Sequence, residues 1–412
     1  MSKPCRAGGV SCSNLHALII PSLADILKHM NLPETQVAIR KILIAIVSIT
    51  LFYYTGKFLI TQGISIYNKL NPPEIPAPEA KFGVLPKLKM ASIPIEGNPN
   101  YILDTVNGRL PNYSDRFYVY EITQPQTTLL SEQKIKKLAE DLGFTQGYTK
   151  LSSSQFRWTD GINSRTFEAN AITKSFKLTT DTNKLSSVIT NTSSITTNDA
   201  ISMTTNFIKS KSLFGTEDTE SIRFIAYPAQ ILYGKVSEIG PGTRSYKLIK
   251  LNVYRDIIAR EGSKTASEIR YKILGPDPKN SQANFYVTND GGSFKFPNID
   301  LNYWTINYEN KSQYYVSDIN LVWDAIKQGK GIISHIKSEQ SDYFDPYENL
   351  DVGQIEIRDV YIALYEPREL TPYLQPIYVF EGQFETTKKL GELPKKGEII
   401  IYYPAVRGDF VK

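Results

Sequence analysis

A long apolar run near the start of the chain constrains its structure more than any other feature. No charged residue occurs between Ile42 and Gly56, and after Lys57 the apolar character continues to Ile64. About 20 apolar residues are enough to cross the hydrocarbon core of a bilayer. The sequence therefore predicts a transmembrane helix over residues 42–64. A buried core helix is the alternative, but the basic residues before the run and the prolines after it disfavour that interpretation.

The charges that flank this run predict its orientation. Three basic residues lie shortly before it, namely Lys28, Arg40 and Lys41. Only Lys69 follows it before residue 80. Because positively charged flanks stay on the cytoplasmic side, we expect a cytoplasmic tail over residues 1–41 and an extracytoplasmic body on a single-pass plasma-membrane protein. Alanine is absent between Ala45 and Ala77, so no small-residue cleavage site follows the run, and we predict an uncleaved signal anchor.

A proline-rich segment follows the anchor. The eight residues from Asn71 to Pro78 include four prolines, which favour an extended, semi-rigid backbone. We therefore predict a stalk over residues 65–89, which separates the membrane from a body that begins near residue 90. The chain's two cysteines, Cys5 and Cys12, precede the anchor, as expected if they lie in the reducing cytoplasm.

The composition of the body excludes several classes of function. Residues 1–89 hold ten basic and four acidic residues and so carry a net charge of +6. Since the formal net charge of the whole chain is +5, the body carries −1. The body thus lacks the basic excess on which nucleic-acid affinity depends. Beyond residue 30 the sequence has one histidine, His335, and no cysteine. Cysteine nucleophiles and Cys/His metal centres are therefore excluded there, and we expect no catalytic residue, cofactor, metal or nucleic-acid partner.

The body is predicted to be an α+β structure. It is rich in Tyr, Thr, Ile, Val and Phe, and its alternating stretches outnumber its helical ones. Amphipathic helices that start at a hydroxyl-bearing residue are predicted at 131–142, 197–211 and 317–329. Strands are predicted at 155–158, 166–169, 175–178, 221–226, 231–233, 246–253, 283–287, 331–336, 354–365, 374–380 and 398–403. Antiparallel strands thus follow each helix, which predicts three helix-plus-sheet units over 90–190, 191–290 and 291–412.

The third unit carries a resemblance to a known family. Its helix opens at Ser317, its strand Ile355–Tyr365 ends in Ala-Leu-Tyr, and a later strand contains Pro376-Ile-Tyr-Val-Phe380. This pattern resembles the PepSY-like and YycH/YycI-type extracytoplasmic modules of bacteria, and residues 130–178 are similar more loosely. The resemblance implies one N-terminal transmembrane helix and a role in binding sensor kinases or envelope enzymes rather than in catalysis.

An aromatic cluster is the predicted interaction surface. Its members are Tyr303, Trp304, Tyr308, Tyr314 and Tyr315. Flat side chains of this kind stack on sugar rings or fill pockets of a protein partner. Core packing is the competing interpretation, because alternation along a strand would bury Trp304 and direct Tyr303 to the opposite face.

Other residues are weaker candidates for chemistry. His335 lies in an alternating strand pattern, which indicates a half-exposed strand residue rather than the base of a Ser-His-Asp site. Neither Ser152–Ser154 nor Ser210–Lys211 shows the Ser-x-x-Lys pattern. The acidic loop Asp342–Asp351 has oxygen ligands but lacks the central glycine of calcium loops, which favours a solvated loop. Two of four glutamates could form the carboxylate pair of a glycan hydrolase, although solvated positions are the favoured interpretation. These are Glu366, Glu369, Glu381 and Glu385.

Two hypotheses about function follow. The first is a bacterial membrane-anchored protein, not an enzyme, that regulates an envelope enzyme or sensor kinase by protein–protein binding. The alternative is a cell-wall glycan-binding protein or a carboxylate-dependent wall hydrolase. A deep cleft with two facing carboxylates would favour the alternative, whereas broad exposed faces and grooves would favour the first.

Overall fold

The chain divides into two units, residues 1–77 and 78–412. The computed structural model describes residues 32–70, 77–126, 128, 130–240, 242–260, 268–388, 391 and 393–412. Most of the predicted cytoplasmic tail therefore lies outside the described residues. The described part of the first unit is almost entirely one helix, α1, and all of the described strands lie in the second unit.

Helix α1 runs from Leu32 to Leu70. Its segment Ile39–Ile64 is long and apolar enough to cross a membrane, and none of its most apolar stretch is buried inside the protein. The predicted span 42–64 lies within this segment. The side chains of a core helix would be buried, so the core-helix alternative does not describe α1. Its length, composition and exposure are those of a helix that can span a bilayer.

The two ends of the predicted stalk over residues 65–89 belong to other elements of the structure. Helix α1 continues to Leu70, and the chain belongs to the second unit from Pro78 onwards. Leu85 is fully buried, and its backbone pairs with that of Val411. Residues 71–76, with three of the four prolines between Asn71 and Pro78, lie outside the described residues, whereas Leu85 near the end of the predicted stalk belongs to the packed second unit.

The second unit contains seventeen strands among the described residues. They are β1 (Asn100–Leu103), β2 (Arg116–Ile122), β3 (Tyr148–Lys150), β4 (Gln155–Asp160), β5 (Arg165–Asn170), β6 (Phe176–Thr180), β7 (Ile222–Leu232), β8 (Lys235–Glu238), β9 (Leu248–Arg260), β10 (Glu268–Leu274), β11 (Ala283–Val287), β12 (Ile299–Leu301), β13 (Ile306–Tyr315), β14 (Ile332–Ser338), β15 (Val352–Tyr365), β16 (Tyr373–Thr386) and β17 (Lys396–Pro404).

These strands form two main groups that share hydrogen bonds. Sheet A is antiparallel and has the order β3-β4-β5-β6-β12-β11-β9-β7-β8. Sheet B has the order β1-β15-β16-β17-β14, and β1 is parallel to β15. Strand β10 pairs with both β9 and β15 and thereby connects the two groups. Strand β13 pairs with β2, which in turn reaches the start of β16.

Five helices pack on these sheets: α2 (Ser131–Asp141), α3 (Thr182–Asn191), α4 (Thr197–Ser210), α5 (Thr216–Glu220) and α6 (Ile319–Lys327). Helix α2 contacts β5, and α4 contacts β7, β9 and β11. Their apolar stripes join the core of sheet A around Phe167 and Phe285. Helix α6 buries Val322 and Ile326 in the core of sheet B.

The three predicted helices are confirmed as α2, α4 and α6, and the α+β class is confirmed with them. Helix α4 begins with a capping box, because the Thr196 hydroxyl accepts from the Asp199 N–H and the Asp199 carboxylate accepts from the Thr196 N–H. Asp318, rather than the predicted Ser317, caps α6. Helix α3 and the five-residue α5 were not predicted from the sequence.

The predicted strands agree with the structure in outline. Strand β7 runs without a break through Pro228, where the sequence suggested two strands. Strand β6 of the first predicted unit pairs with β12 of the third, so strands from different predicted units lie in one sheet. The division into three units stays a prediction, and such units would share sheets rather than each have its own.

Candidate functional site

The five predicted aromatic residues do not form one exposed cluster. Trp304 and Tyr314 are buried, and the other three side chains are half-buried. The Trp304 indole N–H donates to the carbonyl oxygen of Pro367 at 2.8 Å. The Tyr314 hydroxyl donates to the carbonyl oxygen of Gly83 at 3.1 Å. Core packing therefore describes these two residues, and they do not belong to a surface.

Two of the tyrosines converge on one buried carboxylate. The Tyr303 hydroxyl donates to Asp218 Oδ2 at 2.6 Å, and the Tyr308 hydroxyl donates to Oδ1 at 2.5 Å. Asp218 lies on the short helix α5 and is itself buried. Burial raises the pKa of both tyrosines, and the neighbouring carboxylate raises it further because a phenolate would be repelled. Both hydroxyls therefore remain protonated donors.

A buried arginine bridges this carboxylate to a second one. Arg255 Nη1 lies 2.9 Å from Asp218 Oδ1, and Nη2 contacts Glu366 Oε1. Burial alone would lower the pKa of Arg255, but the negative charges of Glu366 and Asp218 outweigh it and raise that pKa. The guanidinium also lies over the Tyr303 ring at 4.5 Å. We call Asp218, Arg255, Tyr303, Tyr308 and Glu366 the Arg255 cluster.

The Arg255 cluster joins distant parts of the fold. Arg255 lies on β9 of sheet A, Glu366 directly follows β15 of sheet B, and Asp218 lies on α5. An adjoining cavity of about 20 Å³ is lined by Arg255, Tyr303 and Glu366 among others. That volume holds about one water molecule and no sugar ring. The cluster therefore acts as a polar connection between the sheets and leaves no room for a glycan substrate.

The other candidate glutamates also have partners. Glu381 accepts a hydrogen bond from the Tyr361 hydroxyl, Glu385 lies 3.7 Å from Lys396, and Glu369 lies 4.0 Å from Lys89. The candidate serines make local bonds: Ser152 accepts from the Gln155 N–H, and Ser210 donates to the Phe207 carbonyl. Each of these side chains therefore has an ion pair or a hydrogen bond to another residue.

His335 is buried on β14, not half-exposed as the sequence suggested. Its Nδ1 lies 2.9 Å from the Tyr347 hydroxyl and 3.5 Å from Asp277 Oδ1. Burial on its own would raise the pKa of Asp277, but hydrogen bonds from His335 and Tyr347 lower it. His335 therefore connects the acidic loop, through Tyr347, to Asp277 in the segment between β10 and β11.

Backbone carbonyl groups of the acidic loop Asp342–Asp351 accept hydrogen bonds from a lysine on β14. Lys337 Nζ donates to the carbonyl oxygens of Tyr343 at 2.6 Å and Asp345 at 2.9 Å. Asp342 accepts from the backbone N–H of Glu238 at 2.7 Å and from that of Phe344 at 2.8 Å. No group of three His, Cys, Asp or Glu side chains that could hold a metal occurs in the described part of the chain.

The same loop covers a buried lysine on β9. Lys250 lies within 5.1 Å of the Tyr343 ring centre and within 5.9 Å of that of Phe344, and its Nζ donates to Asn280 Oδ1 at 2.8 Å. Burial lowers the pKa of Lys250 to about 8, although Asp277 and Asp300 raise it in part. Removal from water thus disfavours the ammonium form of Lys250.

Replacing Lys250 by methionine is expected to stabilise the body near pH 7 by about 2 kcal/mol. Between pH 8 and the ordinary lysine pKa of 10.5 the unfolded chain binds more protons than the folded one, so the wild-type protein gains stability as the pH rises. The advantage of the variant should therefore shrink over this range. Urea unfolding from pH 7 to 10.5 measures it. Lys235→Met, at an exposed position on β8, is the control, and an advantage independent of pH would contradict the assignment.

An open groove lies beside the N-terminal turn of α6. Two adjoining recesses of about 570 and 630 Å³ share Leu110, Pro111 and Asn112 in their walls. Val106 is 100% exposed, and Leu321 is 69% exposed. Leu321 precedes the buried Val322 and Trp323, so the turn of the helix directs it outward. We call Val106, Leu110 and Leu321, with the recesses between them, the α6 groove.

Charged side chains surround the apolar residues of the α6 groove. Arg358 lies 3.8 Å from Asp104, and Arg407 lies 2.8 Å from Asp409, all at exposed positions. An apolar centre with a polar, partly charged rim is the usual anatomy of a protein–protein interface. Neither Leu321 nor Val106 was a candidate from the sequence. The sequence sign of an exposed apolar surface here is one aliphatic residue, Val106, within the polar turn Asp104–Gly108.

Comparisons with known proteins supply no family for the chain. No family model matches the sequence, and no curated protein matches it. Among the solved structures that match is an uncharacterized protein from Eubacterium rectale, with 11% sequence identity and a TM-score of 0.38 over 72% of this chain and 85% of that chain.

Proposed function

We propose that this chain is a single-pass membrane protein whose body binds another protein through the α6 groove. The observation that carries the proposal is the exposed Leu321 on a helix whose next two residues are buried. Together with Val106 it presents apolar surface beside recesses large enough for side chains of a partner. Aliphatic residues in such recesses contribute to binding when a partner removes them from water.

The location and partner class belong to the same proposal. Helix α1 is the membrane anchor, and the basic residues before it favour a cytoplasmic N-terminus and an extracytoplasmic body. The PepSY-like and YycH/YycI-like pattern in residues 314–382 favours an envelope enzyme or a sensor kinase as the partner. The protein would then regulate that partner by contact, without chemistry of its own.

Aspartate in place of both Val106 and Leu321 is expected to weaken partner binding. A charge placed in an apolar contact must be desolvated, so recovery of the crosslinked partner should fall at least tenfold, or about 1.4 kcal/mol. The measurement is a pull-down of the tagged full-length protein from crosslinked membranes. Ile162→Asp is the matched control, because Ile162 is 80% exposed in the turn between β4 and β5, away from the groove.

Two outcomes would contradict this proposal. The first is equal recovery of the same partner by the double variant and by Ile162→Asp, since the groove would then not be the contact surface. The second is retention of the body by isolated cell wall without recovery of any protein, which would favour the glycan-binding alternative. Circular dichroism of each variant establishes that a loss of binding does not reflect a loss of fold.

A further inference from the structure

Strand β1 is an open edge of sheet B, because it pairs with β15 and with no other strand that the structure describes. The Asp104 N–H donates to the Ile357 carbonyl oxygen of β15 at 2.8 Å. The peptide groups of successive strand residues point to opposite sides, so those of Ile102 also face β15. Those of Tyr101 and Leu103 face the open side, and no residue in the described part of the chain bonds to them there. The edge therefore presents outward donors and acceptors at the spacing of a strand.

Two other sheet edges are protected against strand pairing, whereas β1 is not. Strand β8 carries Lys235 and Glu238, and the Glu238 N–H donates to Asp342 Oδ2 at 2.7 Å. Strand β14 has a further backbone partner, since the Ile93 N–H donates to the Ile333 carbonyl oxygen at 2.8 Å. Strand β1 holds no charged residue or proline, and its register with β15 shows no bulge. Because charges, prolines and bulges keep an edge from pairing, β1 is the edge that can accept another strand.

The sequence of β1 is complementary to itself in an antiparallel register centred on Ile102. In that register Tyr101 of each copy lies opposite Leu103 of the other, so the outward donors of each copy meet the outward acceptors of the other. The two Ile102 side chains, each 37% exposed in a single copy, face each other. The exposed Asn100 lies opposite the exposed Asp104, where an amide N–H donates to a carboxylate. No like charges face each other, and each of these cross-strand pairs is favourable.

We propose that β1 pairs with β1 of a second copy of this chain, so that sheet B continues from one copy into the other. The pairing satisfies the outward peptide groups of Tyr101 and Leu103. A contact in which both copies use the same residues closes on itself and gives a dimer. Two copies that α1 holds in one membrane meet at a high effective concentration, so a short strand is sufficient. This contact is additional to the partner proposed for the α6 groove and does not depend on it.

The test is disulfide formation between single cysteines of the full-length protein in isolated membranes. Cys5→Ser and Cys12→Ser remove the chain's two cysteines, and Ile102→Cys adds one in β1. Position 102 faces itself at a non-hydrogen-bonded site, where the Cα atoms of antiparallel strands are about 4.5 Å apart, within the range of a disulfide. With copper–phenanthroline as the oxidant, we expect Ile102→Cys to form covalent dimers at least tenfold faster than Ile162→Cys, a control at an 80% exposed position.

Two further cysteine variants test the register. Asp104→Cys alone should form dimers slowly, because the two copies of position 104 are offset by about 13 Å along the paired strands. Asp104→Cys coexpressed with Asn100→Cys should form dimers as fast as Ile102→Cys, since positions 100 and 104 lie opposite each other. The side chains at all three positions are exposed, so the substitutions leave the packing of the core unchanged.

A charge at the centre of the contact provides an independent test. Ile102→Lys places two ammonium groups opposite each other, and like charges at facing positions destabilise strand pairing. Co-isolation of two differently tagged copies from the same membranes should therefore fall at least tenfold, whereas Ile162→Lys should co-isolate like the wild type.

Three results would overturn the proposal. Equal rates of dimer formation by Ile102→Cys and Ile162→Cys would show that β1 is not a contact between copies. Undiminished co-isolation of Ile102→Lys would show that the copies associate through another surface. A disulfide that joins Ile102→Cys to a different protein, and not to a second copy, would show that β1 accepts a strand of that protein.

Discussion

Replacing Arg255 by methionine is expected to lower the free energy of unfolding of the body by about 3–5 kcal/mol. The substitution leaves Asp218 and Glu366 buried without the cation that they share. Trp304 lies against the cluster, since its carbonyl oxygen is 3.3 Å from Arg255 Nη1. Urea unfolding followed by the fluorescence of the chain's three tryptophans, of which Trp304 lies in this region, measures the loss.

Arg223→Met is the matched control for this substitution. Arg223 lies on β7 and contacts Asp256 at 3.9 Å, but it is partly exposed, so its ion pair should contribute less than about 1 kcal/mol. Tyr303→Phe removes one donor to Asp218 and should cost about 1 kcal/mol. If Arg255→Met destabilised the protein no more than Arg223→Met does, the Arg255 cluster would not connect the sheets. Adding Asp218→Asn and Glu366→Gln to Arg255→Met should restore part of the loss, because no buried charge would remain unpaired.

Replacing Gly382 by alanine is the second change with a large expected effect, about 3 kcal/mol. Gly382 lies on β16 opposite Ile357 of β15. A Cβ at this position would lie 2.0 Å from the Glu356 carbonyl oxygen and 2.9 Å from the Ile357 Cα. These are backbone atoms of a paired strand, so relief of the clash requires that the two strands separate locally. The register already shifts between Ile357 and Asp359, next to this contact.

Urea unfolding of Gly382→Ala measures this effect, with Gly408→Ala as the control. No atom lies within 4 Å of a Cβ built at Gly408, so that variant should stay within about 0.5 kcal/mol of the wild type. Equal unfolding midpoints for the two variants would show that β15 and β16 tolerate a wider separation than the structure has.

The elements of the fold were largely predictable because they depend on local pattern. Helix α2 has apolar residues at helical spacing and ends at Asp141, one residue before the predicted end, and β11 begins and ends where alternation placed it. The order of strands in the sheets was not predictable. Strand β6 pairs with β12, whose residues lie more than a hundred positions later, and periodicity carries no information about the partner of a strand.

The candidate site was only partly predictable for the same reason. From the sequence, Tyr303 and Tyr308 were predicted to lie at an interaction surface, and Glu366 was a candidate for catalysis. Their shared partners lie far away in the chain: Asp218 is 85 residues from Tyr303, and Arg255 is 111 residues from Glu366. An aromatic-rich stretch looks the same in sequence whether its hydroxyl groups face solvent or a buried carboxylate. Val106 was missed because a single aliphatic residue in a turn carries no periodic signal.

The path of the chain through the two sheets sets an order in which the body can be completed. All strands of sheet A lie within residues 148–301, so this sheet can pair fully while later residues are still being synthesised. Sheet B cannot pair fully at that stage, because β1 pairs with β15, and Leu85 pairs with Val411, and both partners are synthesised much later. Pairings of such long sequence separation form slowly, and until they form, the early strands keep open edges that can pair wrongly. Emergence of the last strands, rather than of the first, therefore marks the point at which the body becomes resistant to proteolysis and aggregation.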